Sequence, residues 1–249
     1  MESYIQNAHL NGNPINYIGN KEIGILLIHG FTATTVEVSQ LAKHYINKDF
    51  SVSAPLLPGH GTTPHDLNTK KYREWIDCVE NAFQDLRSRC KKILVGGESM
   101  GAVLTLYLAE KHSEIKGIYL FSPALLVEKL RYVRFIKMIQ PIKDKNLPED
   151  GLAWQGYSVY PTRAAHQFYK LTKLVKGSLS KVTCPALLFQ GKHDTTIDAN
   201  NIEYISQKIS SQIKQLIYLQ SSGHVMLLDQ ELNIIKQKID AFNAAIQIL

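Results

Sequence analysis

The sequence predicts an α/β domain, a mostly parallel sheet with helices on both faces. Short β-branched apolar runs alternate with amphipathic stretches along most of the 249 residues, the pattern of strands joined by crossover helices. That length fits one large α/β domain. A content of 45% hydrophobic and 20% charged residues is that of a globular chain able to enclose a buried site.

Residues 23–29 form a short apolar run that reads as a buried strand. Thr35 is positioned to cap a helix over 36–47, with Val38, Leu41, Ala42 and Tyr45 on one face. A second strand over 51–56 ends in the turn-forming Pro58-Gly59-His60-Gly61. Trp75, Val79, Phe83 and Leu86 recur at helical steps and predict a helix over 71–89. A strand at 92–96, a helix at 102–111 and a strand at 116–121 come next. The alternation then stops. Between Ser122 and Lys181 no strand is clear, and Pro141, Pro148 and Pro161 punctuate short helical pieces, so 122–181 reads as an insertion folded over a core of 1–121 and 182–249. Regular alternation resumes with a strand at 185–190, a helix at 199–209, a strand at 214–219 and a helix at 230–248.

Charge is unevenly distributed. The segment 122–181 holds eleven Lys and Arg against four Asp and Glu, a balance of +7, while the rest of the chain stands at −1. A basic segment can attract nucleic acid, anionic membrane or acidic substrates. These cations are interleaved with Leu, Val, Ile and Phe at helical spacing, which reads as solvated helix faces, and no nucleic-acid partner is expected. Cys78, Cys90 and Cys184 are an odd number without a CxxC pair, so buried reduced thiols are expected rather than disulfides or a thiolate metal site. MESYIQNAHL lacks the basic and apolar regions of a secretory signal, and the longest apolar runs, near Ile23–Ile28 and Ala124–Val127, are strand-sized. The expectation is a soluble, cytoplasmic monomer or homodimer without integral membrane association.

The strongest chemical signal is Gly97-Glu98-Ser99-Met100-Gly101, set between a predicted strand and a predicted helix. A nucleophilic serine on such a strained turn needs small neighbours, and the helix behind it directs free N–H groups to a developing oxyanion. Serine also needs a base, and the base an orienting acid. Of nine histidines, His224 lies in the loop between the last strand and last helix, which opens on the same sheet edge as Ser99. His60 and His65 sit in the loop after the second strand, where they can line a pocket; His44 and His112 belong to helices, His166 to the insertion, and His9 has no motif around it. Asp194 stands after a strand on that edge, with its neighbour His193 directed the other way; Asp198 is the rival but looks like a helix N-cap. Backbone N–H groups of Met100 and of Phe31, after Gly30, are the candidate oxyanion donors.

These residues resemble a known family. His29-Gly30-Phe31-Thr32, Leu57-Pro58-Gly59-His60-Gly61, the Gly-x-Ser-x-Gly turn, Gly191-Lys192-His193-Asp194 and Ser222-Gly223-His224-Val225 with Leu228-Asp229-Gln230 look like the bacterial carboxylesterase and monoacylglycerol lipase branch of the α/β-hydrolases. The resemblance runs from about Gly24 onward, the insertion being least alike. It implies the α/β-hydrolase fold, a triad of Ser99, Asp194 and His224, oxyanion donors at Phe31 and Met100, and a small cap at 122–181 over an acyl pocket. Ala102 departs from it, since many relatives have a second glycine there. The implied activity is hydrolysis of short- to medium-chain carboxylic esters through an acyl-enzyme, with no cofactor and no metal. His29, Gly30, His60, Leu125, Leu126, Ile136 and Trp154 are candidate pocket residues, and Leu130 and Phe135 add to the apolar cap. Monoacylglycerol lipase, thioesterase and feruloyl-type esterase are alternatives within the mechanism; a non-catalytic sensor is the alternative outside it. A haloalkane dehalogenase is disfavoured, because that chemistry needs a carboxylate where Ser99 stands.

Overall fold

A computed structural model describes residues 4–137, 140–145, 151–198 and 200–248, so Pro148 and the expected helix start at Ala199 lie outside the described residues. The core opens with β1 (Ile5–Gln6), β2 (Ile15–Tyr17), β3 (Ile23–Ile28), α1 (Val36–Ile46), β4 (Ser51–Ala54), the single turn α2 (Pro64–Leu67), α3 (Tyr72–Arg87), β5 (Lys92–Glu98), α4 (Met100–Lys111) and β6 (Ile115–Phe121). Within 122–181 lie α5 (Val133–Ile136), β7 (Ile142–Asp144), β8 (Gly156–Tyr157), β9 (Val159–Pro161) and α6 (Thr162–Lys176). The chain finishes with β10 (Ala186–Gly191), α7 (Asn200–Lys208), β11 (Lys214–Leu219) and α8 (Leu232–Ala245).

Seven strands form the sheet in the order β11-β10-β6-β5-β3-β4-β2. All neighbours are parallel except β2, which runs antiparallel on β4. The fold class is therefore the expected one. Strands β3, β4, β5, β6 and β10 are almost wholly buried because both faces are covered. On one face Trp75, Phe83, Leu104 and Phe168 pack from α3, α4 and α6; on the other, Leu41, Tyr45, Ile239 and Phe242 pack from α1 and α8. Because every crossover returns to the same edge, the loops after β3, β5, β10 and β11 gather at one rim.

Three expectations need correction. The segment 122–181 does contain strands, namely β7, β8 and β9, of two or three residues each. A period-2 pattern cannot show in so few residues, and these strands exist through their partners: β8 pairs with β1, β9 with β7, and Gly156 bridges to Ala33. Thr35 does not cap α1 with its side chain; it adopts helical angles and its hydroxyl donates to the Asn13 carbonyl at 2.6 Å. Cys90 and Cys184 are buried, but Cys78 is only partly so.

Candidate active site

Strand β5 runs two residues further than its pattern suggests, and α4 begins at once, so Ser99 alone makes the turn. It does so at φ 57°, ψ −112°, a region costly for a residue with a side chain. Its N–H donates to the Phe121 carbonyl at 2.9 Å and its carbonyl accepts from the Ala124 N–H at 3.2 Å, so the end of β6 and the residues just after it hold the strained angles from both sides of the peptide chain. The flanking glycines are required by close approach. A Cβ at Gly101 would lie 2.0 Å from the Ile28 carbonyl oxygen, and one at Gly97 2.3 Å from the Gly101 carbonyl. Ala102, by contrast, is fully buried without disturbing the helix.

The structure brings Ser99, Asp194 and His224 together. His224 Nε2 lies 3.0 Å from Ser99 Oγ, and His224 Nδ1 lies 2.8 Å from Asp194 Oδ2. Asp194 is the better-anchored partner: Oδ2 also accepts from Gln190 Nε2 at 3.0 Å, and Oδ1 accepts the N–H groups of Thr196 at 2.8 Å and Ile197 at 2.9 Å. Burial alone would raise its pKa, but the hydrogen bond and charge of His224 and these backbone donors outweigh it and hold the carboxyl below its usual value. An ionised Asp194 accepts only, which puts the imidazole proton on Nδ1 and leaves Nε2 a lone pair for the serine hydroxyl. The acid and base loops also contact each other directly, His193 N–H donating to the Ser222 carbonyl at 3.1 Å. Asp198 caps α7, accepting the Asn200 N–H at 2.9 Å, and His193 is exposed, as their sequence positions suggest.

The loop after β3 lies against the serine: a Cβ at Gly30 would be 3.2 Å from Ser99 Cβ. His29 organises it. The Leu57 N–H donates to His29 Nε2 at 3.0 Å, which assigns the ring proton to Nδ1 and lets it donate to the Gly30 carbonyl at 2.9 Å. A trans peptide points its N–H opposite its carbonyl, so pinning Gly30 C=O fixes the direction of the Phe31 N–H. Burial drives the His29 pKa down to about 4, consistent with a neutral ring. His60, also buried and held well below its ordinary pKa by burial and by His29, packs edge-on to Phe31 and His29. Both histidines thus brace the loop rather than present an open wall.

The other expected pocket residues fare unevenly. Leu125 is buried in the core, while Leu126, Leu130 and Ile136 are partly exposed and Phe135 is exposed. Trp154 is not simply an apolar wall, since its indole N–H donates to Glu37 Oε1 at 3.2 Å. Of the residues expected to line a pocket, only His65 borders the crevice of about 660 Å³ that it shares with Asn68, Lys71, Lys137, Arg163 and His166. Sequence reading missed Gln190, Glu37, Glu98, Asp229 and Glu231. Glu231 accepts the N–H groups of Gln220 (3.1 Å) and Ser221 (2.8 Å) and the Ser222 hydroxyl (2.7 Å), and Asp229 accepts the Gly223 N–H at 2.9 Å, so the two fasten the His224 loop. Asp229 and Glu98 had a signal, as parts of the Leu-Asp-Gln segment and the Gly-Glu-Ser-Met-Gly turn; the others had none.

A protein-family model described as serine aminopeptidase S33 (Hydrolase_4) matches residues 20–159, more than half of the chain. The chain is an α/β-hydrolase of this family. This α/β-hydrolase is 33% identical over 231 residues to a thermostable monoacylglycerol lipase of Bacillus sp. (strain H-257), covering 89% of this chain and 90% of that one. It is 25% identical over 238 residues to a carboxylesterase of Bacillus subtilis (strain 168), covering 92% and 95%. A solved structure from work on LipS and LipT, two metagenome-derived lipolytic enzymes, superposes with a TM-score of 0.90 at 28% identity, covering 96% of this chain and 98% of that one. With these relatives the chain is a hydrolase of the lipase and esterase type. No described helix is long and apolar enough to cross a membrane.

Proposed function

We propose that the chain hydrolyses carboxylic esters of short- to medium-chain acyl groups through an acyl-enzyme on Ser99, with residues 122–181 as a cap over the acyl site. The observation that carries this reading is the Ser99–His224–Asp194 chain, with contacts of 3.0 and 2.8 Å and every Asp194 acceptor directed. Ser99 Oγ attacks the acyl carbon while His224 Nε2 takes its proton. The Met100 N–H, which as the first helical amide has no partner within α4, and the Phe31 N–H receive the oxyanion. Collapse expels the alcohol, which takes the proton from His224. Water, deprotonated by the same nitrogen, then attacks the acyl-enzyme and regenerates Ser99.

A monoacylglycerol lipase is the second reading, favoured by the 33% identity to the enzyme of strain H-257. Rates on p-nitrophenyl esters of rising chain length, compared with monoacylglycerols and with aminoacyl anilides, separate esterase, lipase and aminopeptidase. Ser99→Ala should lower ester turnover by about 10⁶-fold with the fold intact. Turnover unchanged in that variant would overturn the reading, and failure of a fluorophosphonate to label Ser99 in folded protein would favour a non-catalytic sensor.

A further inference from the structure

We propose that Glu37 is a positioning residue for this reaction: its carboxylate clamps the oxyanion loop through the Gly30 N–H, with Lys145 of the insertion as its compensating charge. The inference rests on the ester-hydrolase reading above.

Glu37 stands in the first turn of α1 and is only 3% exposed. Its Oε2 accepts the Gly30 N–H at 2.5 Å and its Oε1 accepts the Trp154 indole N–H at 3.2 Å. Both partners are donors, so the site asks for two acceptors, which a carboxylate supplies and an amide does not. Burying a carboxylate costs several kcal/mol unless it is compensated. Compensation comes from Lys145, whose ammonium lies 4.1 Å from the Trp154 ring centroid and 3.4 Å from Thr32 Oγ1. Burial lowers the Lys145 pKa to about 8 while the Glu37 charge opposes it, and burial raises the Glu37 pKa against the Gly30 hydrogen bond and the charges of His224 and Lys145.

Glu98, from β5, is the contrasting acid beside it. Its Oε1 accepts the Leu227 N–H at 3.3 Å, whereas Oε2 has no hydrogen-bond partner among the described residues. Burial, first, and the charge of Glu37 raise its pKa well above the ordinary carboxylate value. Of the two acids, then, only Glu37 has donors on both oxygens and a cation to balance it. The clamp matters because Gly30 directly precedes the oxyanion donor. Glu37 fixes the Gly30 N–H and His29 its carbonyl, so both peptide planes leading to the Phe31 N–H are held. A bare negative charge there would work against an oxyanion, and Lys145 offsets it.

The test is a double-mutant cycle of Glu37→Gln and Lys145→Met, with kcat and KM for p-nitrophenyl butyrate and Tm measured throughout. Loss of one oxyanion donor costs about 10²- to 10³-fold, so a misdirected donor in Glu37→Gln should lower kcat by about 10- to 100-fold, with KM within about twofold. Lys145→Met should lower kcat by about tenfold by leaving the charge bare, and adding Glu37→Gln to it should cost less than the product of the single losses. Glu37→Asp, keeping the charge, should recover part of the loss. Single variants within twofold of wild-type kcat, or losses that simply multiply, overturn the proposal. So does a fall in kcat that tracks KM and Tm, which is the mark of scaffolding alone. Fluorophosphonate labelling of Ser99 is measured in parallel. A wild-type protein that labels but leaves esters untouched sinks the substrate reading, while the labelling rates of the variants still test Glu37.

Discussion

The two sides of Ser99 are held by different means. On the acid–base side, the loops of Asp194 and His224 hang from the adjacent strands β10 and β11, touch each other, and are fastened by Gln190, Asp229 and Glu231. Every one of those partners belongs to the core. On the oxyanion side, the loop after β3 leans on the insertion. Tyr157 N–H donates to the Thr32 carbonyl at 2.9 Å, Thr34 N–H to the Gln155 carbonyl at 3.1 Å, and the Thr34 hydroxyl to Gln155 Oε1 at 2.8 Å. In the proposed mechanism, then, proton transfer rests on residues of β10, β11 and the loops that follow them, whereas charge stabilisation would be shared with the 122–181 segment. A displacement of that segment should reach the oxyanion before it reaches the base.

The sharpest way to break this comparison is Asp194→Asn. It should cost about 10⁴-fold in kcat by presenting the wrong imidazole tautomer, with little change in KM. A loss below about 10²-fold would mean that His224 is oriented without Asp194. Next, Glu231→Ala frees three donors in the His224 loop and should lower kcat by about tenfold, equivalent to about 1.4 kcal/mol in the barrier. Its Brønsted dependence on leaving-group pKa should change, since proton delivery is what loosens. Gln155→Ala should lower kcat by only about threefold, but should weaken a tetrahedral boronate inhibitor by the same factor, since both depend on the oxyanion loop. Equal boronate affinity in wild type and variant would detach the insertion from that loop.

The smallest effect lies on neither side. Glu110, in α4, accepts the Ser178 hydroxyl at 2.8 Å, and burial raises its pKa from 4.5 to about 7 against that bond and the charges of Lys111 and Lys181. The folded state thus keeps a proton that the unfolded chain releases above 4.5, so this group's contribution is full below 4.5 and is lost as the pH rises to about 7. Glu110→Gln should leave kcat unchanged and raise Tm at pH 8 by about 2–4 °C, with no gain at pH 4.5. A gain independent of pH would rule out this titration.

Asp194 and His224 were readable in the sequence because each stands just past a parallel strand in a short motif, where topology dictates the edge, whereas Gln190 and Glu231, which fasten their loops, were not. The glycines around Ser99 were readable for the same reason, since a strand–turn–helix leaves no room for a Cβ. Glu37 was not. In the sequence it is one acid in a helix's first turn, and only the return of Trp154 and Lys145 from more than a hundred residues away makes it a buried clamp. Strands β7, β8 and β9 were hidden because their order comes from partners rather than from their own pattern, and Thr35 misled because it has helical backbone angles and its hydroxyl donates to the distant Asn13 carbonyl instead of accepting a helix N–H.

Strand β1 bears on how the protein is handled at the bench. Ile5 and Gln6 lie along β8, the Asn7 amide donates to the Trp154 carbonyl at 2.7 Å, and the Gln155 amide donates to the carbonyls of Asn7 and Leu10. Residues 154–157, which hold the loop after β3, are thus backed by the stretch from 5 to 10. A tag fused to it, or a protease that trims it, should register as altered turnover long before it registers as unfolding.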